Sequence, residues 1–192
     1  VEALPETTVA SSFQLYQELG LRGEVNFPAF EQALKGFSRY ASGQDRLLVL
    51  IDYTKPSTEK RFYILDLLQK KLLLSTYVAH GRGSGDNYAV AFSNRPGSYQ
   101  SSLGFFRTGD TYMGKNGYSL FLDGLEKGIN DKARERAIVV HGANYADPAV
   151  LKGQQRLGRS LGCPALPPDI SKQVIDTIKG GVLLYIYGLN KA

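Results

Sequence analysis

Two residue types that support acyl-transfer chemistry stand close together in the second half of the chain. His141 directly follows the short apolar segment 138–140, and Cys163, the only cysteine, lies between Gly162 and Pro164. A cysteine reacts as the thiolate, and a nearby imidazole can remove the thiol proton and later return it to a leaving amine. Glycines beside the sulfur let a substrate approach the backbone, whose N–H groups can bind a developing oxyanion. The pattern therefore indicates a Cys–His nucleophilic pair.

A purely structural interpretation of the same residues is also open. A lone cysteine is more often a small buried apolar side chain than a nucleophile, and many histidines at strand ends only make structural hydrogen bonds. The sequence around Cys163 favours display over packing. Gly162 permits unusual backbone angles, and Pro164 restricts the residue before it to extended conformations. Residue types alone favour the structural interpretation, and the turn sequence shifts the balance towards a nucleophile.

The same segment resembles a known family signature. A His-Gly pair at 141–142, followed after a loop by Ser-Leu-Gly-Cys at 160–163, is similar to the pattern of the L,D-transpeptidases of bacterial peptidoglycan, the YkuD-like enzymes. Gly-Arg-Ser-x-Gly-Cys-Pro-Ala at 158–165 resembles a distinct branch, the murein L,D-transpeptidase catalytic domain. Leu161 replaces the usual histidine of the motif. Pro164 and Ala165 replace the Arg or Asn that commonly follows the cysteine.

The resemblance implies a role for each element of the motif. Cys163 would attack the carbonyl of the third residue, usually a diamino acid, of a peptidoglycan tetrapeptide stem and release the terminal D-Ala. The thioester would pass to an amine of a neighbouring stem and form a 3-3 crosslink. His141 would act as base and then as acid, with its ring oriented by the Gly142 carbonyl. Backbone N–H groups near Gly162 and Cys163 would form the oxyanion hole, and Ser160 would support the turn.

Charged and aromatic residues near the motif are candidates for substrate binding. Tyr145, Arg156 and Arg159 lie in the long segment between the histidine and the cysteine, and such loops often carry function. Either arginine could pair with a substrate carboxylate, in place of the family arginine missing after the cysteine. A solvated loop charge is an equally good interpretation of each. His80 ends an apolar run and is a candidate to line the cleft, although a structural histidine is the simpler interpretation.

Other functions would use the same residues. Water as the acceptor would make the enzyme an L,D-carboxypeptidase, and a lipoprotein or D-amino acid acceptor would give attachment or exchange. A different Cys–His peptidase or amidase of the cell wall would also need this pair. A non-catalytic peptidoglycan-binding module that keeps the fold is the third class, which Leu161 leaves open.

Length, composition and charge limit the class of protein. The 192 residues are 43% apolar and 21% charged, which suits one globular domain with a proper core. No apolar run approaches the roughly eighteen residues of a membrane span, and no basic-then-apolar segment opens the chain. With the resemblance, this predicts an exported protein of the periplasm or cell envelope whose signal has been removed.

The net charge of +5 is modest, and Lys and Arg are scattered along the chain. No Arg-rich helix or aromatic RNA-binding signature occurs, which argues against nucleic acid as a partner. Two His and one Cys argue against a structural zinc site. We therefore predict no metal and no cofactor, expect peptidoglycan stem peptides as the partners, and expect a monomer.

Hydrophobic periodicity predicts a mainly β (α+β) fold, an antiparallel sandwich or partly closed barrel with an N-terminal helical hairpin and a late helix. Residues 1–45 are predicted to form the hairpin, packed on a catalytic domain of residues 46–192. The hairpin consists of a helix over 7–19 and a second one that Asn26 caps. Asp169 is predicted to cap the late helix. Predicted strands cover 47–54, 61–68, 72–80, 136–140 and 182–188, with a short strand near 102–106 and a hairpin over 112–122 that turns at Asn116-Gly117.

Overall fold

The computed structural model describes residues 9–191, and these form three α-helices and one sheet of eight strands. The helices are α1 (Val9–Glu18), α2 (Phe27–Tyr40) and α3 (Pro168–Ile178). The strands are β1 (Leu47–Asp52), β2 (Phe62–Asp66), β3 (Lys71–Thr76), β4 (Gly104–Gly114), β5 (Gly117–Gly124), β6 (Val139–Gly142), β7 (Ala165–Leu166) and β8 (Leu183–Tyr187). Their order across the sheet is β3-β2-β1-β8-β4-β5-β6-β7. The predicted helix start at residue 7 lies outside the described residues.

The sheet is mostly antiparallel and nearly closes on itself. Only the pairs β1–β8 and β6–β7 are parallel within the described part of the chain. Just beyond β3, Ala79 pairs with Ala165 of β7, and Gly81 pairs with Ser160. Two single bridges therefore join the two ends of the strand order. The predicted mainly β fold, with a partly closed barrel, an N-terminal helical hairpin and a late helix, is confirmed.

The last strand, β8, lies at the centre of the sheet. It is parallel to β1, with pairs from Leu48–Leu183 to Asp52–Tyr187, and antiparallel to β4 on its other side. The apolar run at 182–188 correctly predicts a buried strand. It does not reveal a parallel partner, because an apolar run suits any neighbour in a sheet that is covered on both faces.

Both faces of β1 are buried because helices cover both sides of the sheet. Val49 and Ile51 belong to a core cluster that includes Val174 and Ile178 of α3. Leu48 and Leu50 point the other way, as successive strand residues must, into the cluster formed with α1 and α2. The five consecutive buried residues of β1 are therefore apolar without alternation, apart from its last residue.

The helical hairpin packs through one face of α2. Phe30, Ala33, Leu34 and Phe37 are buried at helical spacing and contact the sheet. Gly36 on the same face lies against the Phe105 ring of β4, too close for any β-carbon. This close approach holds the hairpin on the sheet. The domain boundary at residue 45 stays a prediction.

Two helix caps differ from the predicted ones. Asn26 occupies the N-cap position of α2 but makes no capping hydrogen bond; its amide donates instead to the Asp52 carboxylate at 2.8 Å. A hydrogen bond to a charged carboxylate is stronger than a hydrogen bond between two neutral groups. The Asn26 side chain therefore bonds to Asp52 and not to a backbone N–H of the helix. Asp169 lies inside the first turn of α3, and Pro167 is the N-cap residue. Its carboxylate still favours the helix because it lies near the positive end of the helix dipole.

The predicted hairpin exists, with its turn displaced by one residue. Gly114 pairs with Gly117, so Lys115 and Asn116 form the loop between β4 and β5. Only Gly117 of this segment has a positive φ, +77°. The arrangement matches a turn followed by a residue in the left-handed conformation rather than the two-residue turn that Asn-Gly usually forms.

Candidate active site

His141 lies on β6, between β5 and the two-residue strand β7. Its backbone pairs with Ser119 on one side and Ala165 on the other, and its side chain is only 3% exposed. Nδ1 lies 2.9 Å from the carbonyl oxygen of Gly142. A carbonyl only accepts, so Nδ1 carries the proton and donates it, which leaves Nε2 of the neutral ring unprotonated. Burial also lowers the pKa of His141, so the ring is neutral at neutral pH and Nε2 can accept a proton.

The turn that carries Cys163 is held by Ser160. The Ser160 hydroxyl accepts from the Gly162 N–H at 3.1 Å and donates to the Cys163 carbonyl at 2.6 Å. The Ser160 backbone also bonds to the segment that follows β3. Its carbonyl accepts from the Arg82 N–H, and its N–H donates to the His80 carbonyl. Gly162 has φ of +128°, which favours glycine. These bonds fix the turn without using the thiol.

One of the two backbone amides predicted for an oxyanion hole is already occupied. The Gly162 N–H donates to the Ser160 hydroxyl, whereas the Cys163 N–H has no hydrogen-bond acceptor among residues 9–191. An amide without a protein partner is the one that can donate to a substrate oxygen. The geometry therefore favours Cys163 N–H over Gly162 N–H as an oxyanion donor.

The Cys163 thiol is 8% exposed and lies against the segment that leads into β6. The sulfur accepts from the Val139 N–H and donates to the Ala137 carbonyl, both at 3.4 Å. Burial raises the pKa of the thiol, and the Val139 bond and the positive charge of Arg136 oppose that rise. The resting thiol is therefore protonated.

Thiol and imidazole are not hydrogen-bonded to each other in the described structure. The sulfur contacts the Val139 backbone N–H, and Val139 precedes His141 by two residues on β6. Two residues of a strand span roughly 6–7 Å. Catalytic hydrogen bonds often tighten only when substrate is bound.

Tyr145 interacts electrostatically with Cys163. It belongs to a short 3-10 helix, Asn144–Ala146, and packs against Gly158 so closely that a β-carbon there would clash. Burial raises the pKa of Tyr145 to about 12, and the charge of a Cys163 thiolate would add to this rise. Its hydroxyl therefore stays neutral at neutral pH.

Arg156 and Arg159 share one carboxylate. The Arg156 guanidinium forms an ion pair with Asp86, and Arg159 Nη1 lies 3.8 Å from the same carboxylate. Arg159 also donates to the Gly85 carbonyl at 3.1 Å. Two cations facing one anion leave an excess positive charge, and the Asp86 side chain is 78% exposed. The pair can accept another carboxylate if Asp86 moves aside.

His80 is buried below this surface, at 1% exposure. Its Nδ1 accepts from Arg61 Nη2 at 2.9 Å, and Nε2 donates to the Gly85 carbonyl over 3.4 Å. Burial and the Arg61 charge lower the pKa of His80 to about 3, so the ring is neutral. Both nitrogens have protein partners, and this geometry favours the structural interpretation of His80.

Two arginines near the site are not singled out by the motif. Arg61 is fully buried, donates to the carbonyls of Lys55 and Val78, and lies over the Tyr53 ring at 4.8 Å. Burial lowers its pKa to about 10, so it remains charged. Arg136 lies next to the Cys163 turn. Arg61 directly precedes β2 and Arg136 lies three residues before β6, but neither position by itself distinguishes these arginines from surface charges.

The described residues give no indication of a metal site or a membrane span. Nowhere in residues 9–191 do three or more His, Cys, Asp or Glu side chains meet in an arrangement that would hold a metal ion. None of the helices in that range combines the length and apolarity needed to cross a membrane.

The chain is similar to several solved structures at low sequence identity. The helical cell shape determining protein Pgp2 (K307A mutant) from Campylobacter jejuni matches with a TM-score of 0.51 and 16% identity, over 96% of this chain and 58% of Pgp2. An L,D-transpeptidase from Stackebrandtia nassauensis matches at 0.45 and 15%, over 95% and 78%. One from Mycobacterium smegmatis matches at 0.45 and 13%, over 74% and 59%. This chain thus spans about three-fifths of Pgp2 and of the M. smegmatis enzyme.

Comparison with protein families gives the affiliation. No curated protein is significantly similar to the chain in sequence. The model of the L,D-transpeptidase catalytic domain matches residues 21–187, which include every strand and all the residues of the Cys–His site. With a buried histidine on β6 and a cysteine on the turn before β7, the chain belongs to the L,D-transpeptidase catalytic domain family.

Proposed function

We propose that the protein is a peptidoglycan L,D-transpeptidase that acts on tetrapeptide stems through a thioester on Cys163. One observation carries the proposal most directly. The hydrogen bond from His141 Nδ1 to the Gly142 carbonyl leaves Nε2 unprotonated on the strand that borders the thiol. A base held in this tautomer is what a cysteine nucleophile needs. Family membership supplies the peptidoglycan context.

The proposed reaction has two halves. His141 Nε2 takes the thiol proton, and the Cys163 sulfur attacks the carbonyl between the third residue of the stem and the terminal D-Ala. The carbon–nitrogen bond breaks, His141 returns the proton to the departing D-Ala amine, and a thioester remains. An amine of a second stem then gives its proton to His141 and attacks the thioester, which forms the 3-3 crosslink and regenerates the thiol. Cys163 N–H is the proposed donor to the oxyanion in both halves.

The acceptor distinguishes the related activities. Water in place of the amine would release a tripeptide, as an L,D-carboxypeptidase does, and other amines would give attachment or exchange. Leu161, exposed on the turn where the motif usually has histidine, cannot exchange protons with an acceptor. The proposal therefore assigns all proton transfer to His141.

Intact-protein and product mass spectrometry test the proposal. Wild-type protein is incubated with tetrapeptide muropeptides, with and without prior alkylation of Cys163 by iodoacetamide. The chain has no other cysteine, so alkylation blocks one defined atom. We expect a peptidyl adduct, D-Ala release and crosslinked dimers with untreated protein, and none of these after alkylation. Binding of muropeptides without adduct or product in both samples would instead indicate a non-catalytic binding module.

We also propose that Arg156 and Arg159 bind a carboxylate of the stem peptide, with Tyr145 lining the same side of the cleft. The support is that two arginines face a single exposed carboxylate, Asp86, which leaves one positive charge uncompensated. Arg159 is four residues before the nucleophile in sequence, on the segment that leads into the Cys163 turn. His80 contributes by holding Gly85, to which Arg159 also donates.

Asp86→Asn is expected to lower KM for an anionic stem peptide about twofold to fivefold with little change in kcat. Exposed ion pairs are worth about 0.2–1 kcal/mol, and removing the competing carboxylate frees the arginines for the substrate. Steady-state kinetics with Asp110→Asn as control separate this from a general charge effect, since Asp110 is an exposed acid on β4. An unchanged or raised KM in Asp86→Asn alone would contradict the carboxylate site.

Export to the periplasm or cell envelope and action as a monomer complete the proposal. Export follows from the proposed activity, because peptidoglycan lies outside the cytoplasm, and we propose a monomer because one chain supplies both Cys163 and His141. Light scattering on the purified protein tests the second part directly.

A further inference from the structure

A guanidinium outside the family motif lies directly against the Cys163 turn. Arg136 lies three residues before the start of β6. An ideal β-carbon built on Gly162 would lie 3.5 Å from Arg136 Nη2 and 3.0 Å from the Gln100 carbonyl oxygen. The arginine and the loop that contains Gln100 therefore form the support beneath Gly162.

Arg136 ties this loop together through four hydrogen bonds. Nη1 donates at 2.7 Å to both the Ser93 carbonyl and the Ser102 hydroxyl. Nη2 donates to the Gln100 carbonyl at 2.7 Å and the Ser98 hydroxyl at 3.2 Å. The acceptors span residues 93–102, so a single side chain fixes the loop that backs the turn of the nucleophile.

All four acceptors are neutral, so the charge of Arg136 is not cancelled by a carboxylate. Within residues 9–191, no Asp or Glu lies at ion-pair distance from it. Arg134, two residues earlier, forms a two-pronged ion pair with Asp123. Of these two arginines, Arg134 is neutralised by a carboxylate and Arg136 is not, and Arg136 is the one beside the Cys163 turn.

The segment that begins with Arg136 also contacts the thiol through its backbone. The Ala137 carbonyl accepts from the S–H group and the Val139 N–H donates to the sulfur. Ala137 has a positive φ of +53°, an unusual conformation for a residue with a side chain. The guanidinium and the backbone contacts to sulfur are therefore fixed in one short stretch of chain.

The other titratable groups that face the thiol are neutral. Tyr53 and Tyr145 interact electrostatically with Cys163, but burial raises the pKa of each hydroxyl to about 12. Burial lowers the pKa of His141, which is also uncharged at neutral pH. Arg136 is the one charged side chain of the described residues that opposes the effect of burial on the thiol pKa.

We propose that Arg136 is a positioning residue of the acyl-transfer site, which holds the 93–102 loop against the Cys163 turn and stabilises the thiolate with its unpaired charge. Only the catalytic role of Arg136 rests on the proposed function. Both physical effects can be measured without any substrate.

The pH dependence of Cys163 alkylation by iodoacetamide tests the charge effect, with intact mass as the readout. In Arg136→Met we expect the pH of half-maximal rate to rise and alkylation at pH 7 to slow by about threefold to tenfold, the effect of losing one charge at short range. Arg134→Met, which removes a charge already paired with Asp123, is the matched control and should leave the midpoint unchanged. The midpoint reports the pKa of the thiol, whereas altered access to the sulfur changes only the maximal rate.

Hydrogen exchange over residues 93–102 tests the loop effect, and Arg136→Lys separates the two roles. Lysine keeps the charge but cannot make four hydrogen bonds, so exchange should accelerate while the midpoint stays near that of wild type. If Arg136→Met does not fold, the alkylation midpoint and the hydrogen-exchange rate of Arg136→Lys test the proposal in its place. Faster exchange with an unshifted midpoint in Arg136→Met would show a merely structural arginine and overturn the proposal. Unchanged exchange in Arg136→Lys would overturn it equally, because the loop would then not depend on the guanidinium.

Discussion

Serine in place of Cys163 is expected to preserve the fold and to lower turnover of a tetrapeptide stem by at least about 10³-fold. The fold should survive because a hydroxyl can keep the two contacts of the sulfur, to Val139 N–H and Ala137 carbonyl. Activity should be lost because a neutral imidazole is too weak a base to ionise an alcohol that has no further activating group. Release of D-Ala and thermal unfolding, measured on the same preparations, check both parts.

His141→Gln and the double variant provide the control for that loss. Removing the base alone is expected to lower turnover by about 10²–10⁴-fold. The double variant should be no less active than the less active of the two single variants. Residues that act as one unit give such non-additive losses. Losses that multiply would show that the two residues act independently. Full activity in Cys163→Ser would exclude the thiol mechanism altogether.

The free energy of unfolding is expected to fall as the pH drops below about 6.5, with His80 as a main cause. The pKa of His80 is lowered from 6.5 to about 3 in the folded protein. Below pH 6.5 the unfolded chain therefore binds a proton that the folded protein refuses, and this favours unfolding. Stability from this group is complete above pH 6.5 and is lost progressively down to about pH 3. At pH 5 the loss from His80 should be about 2 kcal/mol.

Urea unfolding at pH 7 and pH 5 measures this loss, and His80→Asn is the variant that removes it. The asparagine oxygen can still accept from Arg61, which keeps the buried guanidinium partnered. The chain has only two histidines, and the pKa of His141 is lowered as well, so its contribution remains in the variant. The difference between pH 7 and pH 5 should shrink by about 2 kcal/mol in His80→Asn. An equal difference in both proteins would show that His80 is protonated in the folded state.

Much of the fold follows from local pattern. The apolar runs of β1, β2 and β8 and the helical stripe of α2 are visible because burial on a helix or strand imposes a period on the residues. The two-residue strand β7 has no such period, and nothing in Ala165-Leu166 separates it from the adjoining turn. The parallel pairing of β1 with β8 depends on residues about 135 positions apart, beyond the reach of any local pattern.

The residues of the site also differ in how far the sequence reveals them. Cys163 and His141 stand out because glycine and proline neighbours mark the turns at which elements end. The prediction that Cys163 is displayed rather than packed is wrong, because the sulfur bonds to the backbone before β6 and the residue is buried. Arg136 and Arg61 do not stand out. Their importance comes from partners brought close only by tertiary structure, such as the 93–102 loop and the buried ring of His80. An arginine in a polar stretch is most often a surface charge, and its sequence neighbours do not show that its charge is unpaired.

The central place of β8 has a consequence for the order in which the protein can be made. Strands β3, β2 and β1 form one half of the sheet, β4 to β7 form the other, and β8 lies between the halves and pairs with β1 and β4. A ribosome has therefore to synthesise residues 183–187 before the two halves can become one sheet. Until then the nascent chain lacks the nearly closed sheet around the nucleophile, and its single thiol is less protected than in the folded protein, where Cys163 is buried.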